Sequence, residues 1–432
     1  MNGKVNKTGG GNCAIKGIVE EAKAWGIITA GDFVEFIKQK TDESGTYGED
    51  TELYNTATKN YEAVLLSENR VAIGSIKNSG SSALYVIVCE FDGMTINVVN
   101  SKMLCSTNNS SNINFSICAL NENKFCVLWQ QGDGNLSYYI CEVIDNEIAD
   151  YSGTAIYDAT VQVSCKKSFI SLSENRILGI CLISNFVNIV IFSINNNTVE
   201  LENKYLLKDQ KGLLSQLKKI SNDRILAMIY SRDSSAKWDY YLITVEQDAI
   251  VINDKKEFNC TSIGTSEIHC TSLKLDYNKF ILFYSNVYKI FATIININAD
   301  TINDTFTETL IYDETYCGTA ISSILIDSNN LILLHSKSLN CYLYSLQCNI
   351  REDVITMSTD TQISAMQNSG LSISNVANEM GLAFIAHSYS TNNYMYGMMY
   401  DPKIEKLAQK VKNKQSTIAR HSKNKCKRRT TC

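Results

Sequence analysis

Seven stretches of this chain share one pattern: an apolar position, a short polar turn in which Asn or Asp usually precedes a basic residue, then a run of β-forming residues. Two copies are nearly identical, Leu66-Ser67-Glu68-Asn69-Arg70-Val71 and Leu172-Ser173-Glu174-Asn175-Arg176-Ile177. Others begin at Leu120, Ile220, Leu275 and Ile326, and a degraded copy runs from Val376 to Leu382. With Arg70, Lys124, Arg176, Arg224, Lys279, Asn330 and Gly381 taken as equivalent, the spacings are 54, 52, 48, 55, 51 and 51 residues. A unit of that length cannot bury its apolar surface alone, so neighbouring copies must stack as a solenoid or close as a propeller.

The content of each unit decides between the two. In the first, strand A (Glu62 to Leu66) meets the polar turn and strand B (Val71 to Ile76) follows. A Ser/Asn/Gly loop leads to strand C (Ala83 to Phe91), and Asp92-Gly93 supplies a hairpin turn before strand D (Thr95 to Val99). Later copies repeat the scheme at Tyr138 to Ile144, Asn188 to Ile194 and Tyr240 to Val245, with turns at Asp145-Asn146, Asn195-Asn196-Asn197 and Gln247-Asp248. Strands B and C read as nearly continuous apolar runs, which is what a sheet packed on both faces requires. The fold class expected is all-β: a seven-bladed β-propeller of four-stranded antiparallel blades over about residues 55–410. A parallel β-helix would use shorter rungs, and a sandwich would not hold one register through seven copies. Because the last copy is weak, six or eight blades stay open. Ring closure is expected to place a strand within Glu52 to Thr56 beside a last strand around Lys403 to Leu407.

Charge is unevenly placed. Residues 403–432 hold eleven of the 40 Lys and Arg against one carboxylate, Glu405, so the remainder carries a net −15. A body of that sign repels phosphate backbones, and no nucleic-acid partner is expected for it. The tail, about residues 411–432, loses strand periodicity and is expected to be disordered; binding an acidic neighbour or an anionic cell-wall polymer is the alternative. Fifteen cysteines are scattered with no C-x-x-C pair, which suits small buried hydrophobes in a reducing environment better than a zinc or disulfide framework. The start, Met1-Asn2-Gly3-Lys4, has no apolar core of a secretion signal. The longest apolar stretch, Ile177 to Ile194, is interrupted by Ser184, Asn185 and Asn188, so no membrane span is expected.

Residues 1–50 stand outside the repeat. Ile15, Ile18, Val19 and Ala22 fall at helical spacing, predicting a short amphipathic helix that Gly26 ends. Ala30-Gly31-Asp32 then predicts a turn, with Phe33 to Phe36 as a returning strand. The expectation is a small N-terminal α/β segment that either caps the ring or attaches it to something larger, with Ile28, Asp32, Phe33 and Phe36 as attachment residues. The string Ile28 to Phe36 (ITAGDFVEF), followed by degenerate L-S-E-N-R units with D-G and N-N turns, resembles tail or other virion structural proteins of phages of clostridia and related Gram-positive bacteria, and of phage-tail-like particles derived from them. The resemblance implies a virion or particle component, assembled in the bacterial cytoplasm and released by lysis. It also implies other tail subunits as partners through residues 1–50, and several copies per particle or a homo-oligomer. Relatives often finish in a Gly/Thr-rich segment; this chain departs from that in its Lys/Arg/Cys-rich end.

Catalytic constellations were sought and not met: no G-x-S-x-G elbow, no G-x-x-x-x-G-K-[ST] loop, no H-E-x-x-H helix and no sialidase-type S-x-D-x-G-x-T-W box. Neither a metal nor a cofactor is expected, and Asp133-Gly134-Asn135 lacks the acidic ligands of a calcium cage. The expected site is the face formed by the B–C and D–A connections. There Trp129, Tyr230, Tyr284, His335 and His387 end strand B in five blades, with Gln130, Asp133, Arg232, Asp233, Trp238 and Asn286 nearby. Planar groups of this kind either stack on sugar faces or pack between blades. The function expected is non-enzymatic recognition of a bacterial surface glycan. A purely structural baseplate subunit is the first alternative, and a polysaccharide hydrolase the second.

Overall fold

The computed structural model describes residues 2–7, 18–25, 34–40, 45–56, 58–77, 82–107, 114–130, 134–156, 161–163, 168–209, 212–232, 236–247, 249–260, 269–285, 289–313, 317–337, 342–377, 382–389 and 394–410. They form two compact units. One is Gly45–Asp401; the other combines Met1–Ser44 with Pro402–Cys432. Among the described residues there is no helix.

The larger unit is a seven-bladed β-propeller of antiparallel blades. Blade 1 runs Thr58–Ser67, Arg70–Lys77, Ser82–Asp92 and Thr95–Thr107 as strands A to D. Blade 2 follows the same scheme with Phe115–Ala119, Lys124–Gln130, Leu136–Ile144 and Glu147–Ile156. In blades 3 and 4 strands B to D are Arg176–Ile183, Phe186–Asn195 and Thr198–Lys208, then Arg224–Arg232, Ala236–Val245 and Ile250–Asn259. The apolar stretch from Ile177 is thus a hairpin, turned by Ser184 and Asn185 at φ 52° and 71°. Three C–D turns use the same left-handed pair, at Asp145-Asn146, Asn196-Asn197 and Glu352-Asp353.

Each blade gives one face to each neighbour. In strand Arg224–Arg232, Leu226, Met228 and Tyr230 enter the core shared with blade 5, while Ile225, Ala227 and Ile229 enter the core shared with blade 3. That double burial is why the sequence runs apolar without alternation. The innermost strands are stitched by polar side chains instead. Ser116 Oγ donates to Glu62 Oε1 at 3.0 Å, Ser272 Oγ to Gln216 Oε1 at 3.2 Å, and the Ala63 N–H to Ser374 Oγ at 3.0 Å.

The repeated turn also has a job between strands. The carbonyls of Asn69, Asn123, Asn175, Asp223, Asn278 and Asn329 each accept an N–H from the end of strand C in their own blade. The basic residue that follows often reaches the next blade: Arg70 to Asn123 Oδ1 (2.5 Å), Arg176 to the Gln247 carbonyl (2.8 Å), Arg224 to Asp300 (3.2 Å) and Lys279 to Asp353 (2.5 Å).

The ring closes where the chain's start meets its end. Thr51–Tyr54 and Thr46–Tyr47 lie antiparallel to Met395–Asp401, the third strand of blade 7. This corrects the expected partner around Lys403 to Leu407: Ile404–Lys410 belongs to the smaller unit. There it runs antiparallel to Val34–Lys40 and parallel to Ile18–Trp25, which pairs with Asn2–Lys7. The small N-terminal α/β segment is corrected likewise. Residues 18–25 are a strand because distant strands offer ladder partners, and four residues at helical spacing do not outweigh long-range pairing. Ile15 and Gly26 lie outside the described residues, as does the tail 411–432.

Candidate functional site

Trp129, Tyr230, Tyr284, His335 and His387 do end strand B at one level of the ring, facing Ser137, Trp238, Phe291, Tyr344 and Tyr396 of strand C. Their rings are not presented to solvent. Trp129 is 5% exposed, and Tyr230, Trp238, Tyr284, His335 and His387 are at 0%. The expectation of open stacking faces is therefore corrected to packing: Tyr230 meets Trp238 at 5.3 Å between centroids, and Trp238 meets Tyr284 of the next blade at 5.6 Å. Gln130 is half-buried and its N–H donates to the Asn114 carbonyl. Arg232 is the last residue of its strand, opposite Ala236. Asp133, Asp233 and Asn286 lie outside the described residues, as do the attachment residues Ile28, Asp32 and Phe33. Phe36 pairs in register with Ala408.

Beneath this face the buried rings meet charge. His387 Nε2 lies 2.7 Å from Asp50 Oδ1, and Ser364 Oγ donates to the other carboxylate oxygen at 2.6 Å. Burial pushes the Asp50 carboxyl up, but the hydrogen bond and charge of His387, with Ser364, outweigh it and hold it below its ordinary value. Blade 6 repeats the device: His335 Nε2 is 3.0 Å from Asp360 Oδ1, and the Tyr312 hydroxyl donates to Oδ2 at 3.3 Å. In blade 5 the equivalent Tyr284 donates to Glu308 Oε1 at 2.5 Å; burial, then that carboxylate, push its phenol up. Between blades 3 and 4, Lys208 Nζ bonds Asp239 Oδ2 at 2.8 Å and Ser231 Oγ at 2.7 Å, almost fully buried. These carboxylates escaped the sequence reading. For Asp50, Glu308 and Asp360 the signal that could have found them is an acidic residue on, or just before, a fourth-strand segment at the level of a His or Tyr ending strand B, visible only once strand D is placed; Asp239 lies on strand C.

Five of the residues expected on that face carry a buried polar atom with no hydrogen-bond partner: Trp129 Nε1, Gln130 Oε1, Trp238 Nε1, His335 Nδ1 and His387 Nδ1. Nine of the cysteines among the described residues are free thiols and seven of these are buried; burial pushes Cys89, Cys181 and Cys348 up to about 12, far from thiolate chemistry at neutral pH.

Two cavities lie elsewhere. One, about 430 Å³, is lined by the inner strands, with Ile117, Ile170 and Leu217 beside Glu62, Lys218 and Lys219. Burial pulls the Lys219 ammonium down. The other, about 390 Å³, lies on the face of the short turns and is mostly polar, with Asp276, Asn278, Asn296, Asn298, Asn303 and Asp353 beside Lys279 and Ile297 in its wall.

No protein family matches the chain by sequence, and no curated protein does. Solved structures do resemble it. The WD40 domain of a coronin from Toxoplasma gondii aligns at a TM-score of 0.50 with 8% identity, over 88% of this chain and 88% of that one. The BP39L lectin from Burkholderia pseudomallei gives 0.48 at 11% identity, covering 79% of this chain and 98% of that one. A variant of the NanB sialidase from Streptococcus pneumoniae gives 0.47 at 12% identity, over 85% and 70%. At such identities the likeness is one of fold.

Proposed function

We propose that this chain is a non-enzymatic binding protein of a phage or phage-tail-like particle, and that its propeller recognises a bacterial surface glycan through the face of the B–C and D–A connections. The observation that carries the reading is the set of five unpartnered polar atoms at that end of the blades. Each unmade hydrogen bond costs about 1–3 kcal/mol, so packing alone does not account for keeping them. The indole N–H groups donate, the Gln130 amide oxygen accepts, and an imidazole nitrogen does either. A hydroxyl, which is donor and acceptor at once, complements such a mixture, and a sugar carries several. Four of the five atoms belong to the buried rings themselves, and loop and side-chain adjustment on binding would bring them to the ligand.

The particle assignment rests on the ITAGDFVEF string and on the end sheet, which gathers both chain ends into a unit separate from the ring. Multiple copies would convert weak single-site affinity into stable adsorption. The test is adsorption of the purified full chain to clostridial cell walls before and after periodate oxidation of their sugars. Binding that disappears with periodate is the expected result. Adsorption indifferent to periodate, or none at all, overturns glycan recognition, and release of reducing ends from the polymer overturns the non-enzymatic reading.

A further inference from the structure

In blade 5 the fourth strand is broken into Thr301–Ile302 and Glu308–Asp313, as that of blade 6 is between Val354–Met357 and Thr361; the Asn303 N–H still bonds the Asn296 carbonyl at 2.9 Å, and residues 304–307 form no ladder pair. The excursion is held against blade 4. The Ile302 N–H donates to Asp254 Oδ2 at 2.7 Å, Lys256 pairs with Asp304 at 2.5 Å, and the Phe306 ring packs on Tyr240 at 5.0 Å. A cleft of about 390 Å³ opens on the short-turn face, with Asn303 of the excursion and Asp353 of the blade 6 turn both in its wall. That volume falls within the ordinary range of small-molecule sites, about 300–1,000 Å³.

The chemistry of the wall selects the ligand. Asp353 is fixed by Lys279 at 2.5 Å and by Asn296 Nδ2 at 2.9 Å, so its charge is neutralised and its orientation set before anything binds. Carboxamides supply most of the rest, and each offers acceptor and donors together. Asn278 Oδ1 is buried in the wall without a partner, an acceptor that a donor brought into the cleft would satisfy. The one lining cation is already paired and Asp276 adds a negative charge, which disfavours a phosphate or an acidic sugar. No group of three or more His, Cys, Asp or Glu suited to a metal ion occurs among the described residues. Tyr277, between two wall residues in the same turn, is 58% exposed; Lys274 Nζ lies over one side of its ring at 5.6 Å from the centroid, which leaves the other side for stacking.

We propose that this cleft is a second saccharide site, for a neutral sugar unit, on the opposite face of the ring from the one argued above. It rests on the reading that the chain recognises glycan, and adds a site of its own. A propeller with sites on both faces could bridge two strands of one polymer.

The experiment is saturation-transfer NMR on the full chain with the methyl glycosides of glucose, galactose, mannose and N-acetylglucosamine at millimolar concentration. It is repeated for Asn298→Ala, Tyr277→Ala and the loop-face variant Gln130→Ala. Asn298 and Tyr277 are exposed, so their truncation leaves the blades intact. At least one glycoside is expected to give a signal that weakens about tenfold in Asn298→Ala and Tyr277→Ala and survives in Gln130→Ala, as loss of one hydrogen bond or stacking contact implies. Signals unchanged in both cleft variants overturn the cleft while leaving glycan recognition standing. No signal with any glycoside overturns both.

Discussion

Single residues carry two measurable consequences. Asp50 has its carboxyl held below the ordinary value in the folded chain, so the ionised form favours the native state. Its contribution is complete above the unfolded carboxylate value, about 3.9, and is lost as pH falls through the lower folded one. Asp50→Asn should therefore flatten the acid limb of Tm against pH between about pH 5 and pH 2; a limb identical to the parent's would remove the argument. The second is Lys208 with Asp239, at 7% and 0% side-chain exposure. Asp239→Ala strands a buried ammonium and should cost about 3–5 kcal/mol in urea unfolding. Replacing both, as Lys208→Met with Asp239→Leu, should recover most of that loss, because the pair's burial is itself expensive. At this scale the sequence was only partly legible. The aromatic and His positions ending strand B were visible as a periodic set. That Asp50, Asp360 and Glu308 would meet them was not, because each partner sits at the start of a strand D segment, whose register depends on turns read imperfectly from one chain.

Among elements, the strands and turns of the repeat were the most readable part. Asn or Asp before a basic residue marks the A–B turn in five of the seven blades, and the structure gives both halves a reason: a carbonyl that caps strand C and a cation that often reaches the next blade. The failed element is the expected helix at residues 15–22, where local spacing lost to pairing with Asn2–Lys7 and Ile404–Lys410. Blade packing predicts its own sensitive point at Gly74. A Cβ there would stand 2.4 Å from the Phe115 ring of blade 2. Gly74→Ala should destabilise the ring by about 1–3 kcal/mol through overpacking, and Phe115→Leu in the same chain should relieve much of it. Thermal unfolding of the three variants checks this; additive losses would show that the two residues do not share the space.

For the whole molecule, closure matters more than any single blade. A linear repeat array can fray from its ends, whereas a ring with its last sheet completed by Thr51–Tyr54 has no free end to fray. Deleting residues 45–54 should lower Tm, broaden the transition and expose the edge of Met395–Asp401 to intermolecular pairing, seen as aggregation on heating. A sharp, unchanged transition would mean that closure contributes nothing. The propeller was legible because seven copies enforce one another statistically. The partner strand of the last blade was misplaced because closing strands carry no copy of the repeat.

That same seam sets a timetable for synthesis. Tyr54 leaves the ribosome some 340 residues before Met395, its eventual ladder partner, and at about 5–20 residues per second this is a wait of roughly 17–70 s. Throughout it, Thr51–Tyr54 has no ladder partner while the blades form behind it. Any halt in translation would release a chain unable to seal itself, so codon usage and chaperone supply over the final blade should govern yield more strongly than the same changes made midway.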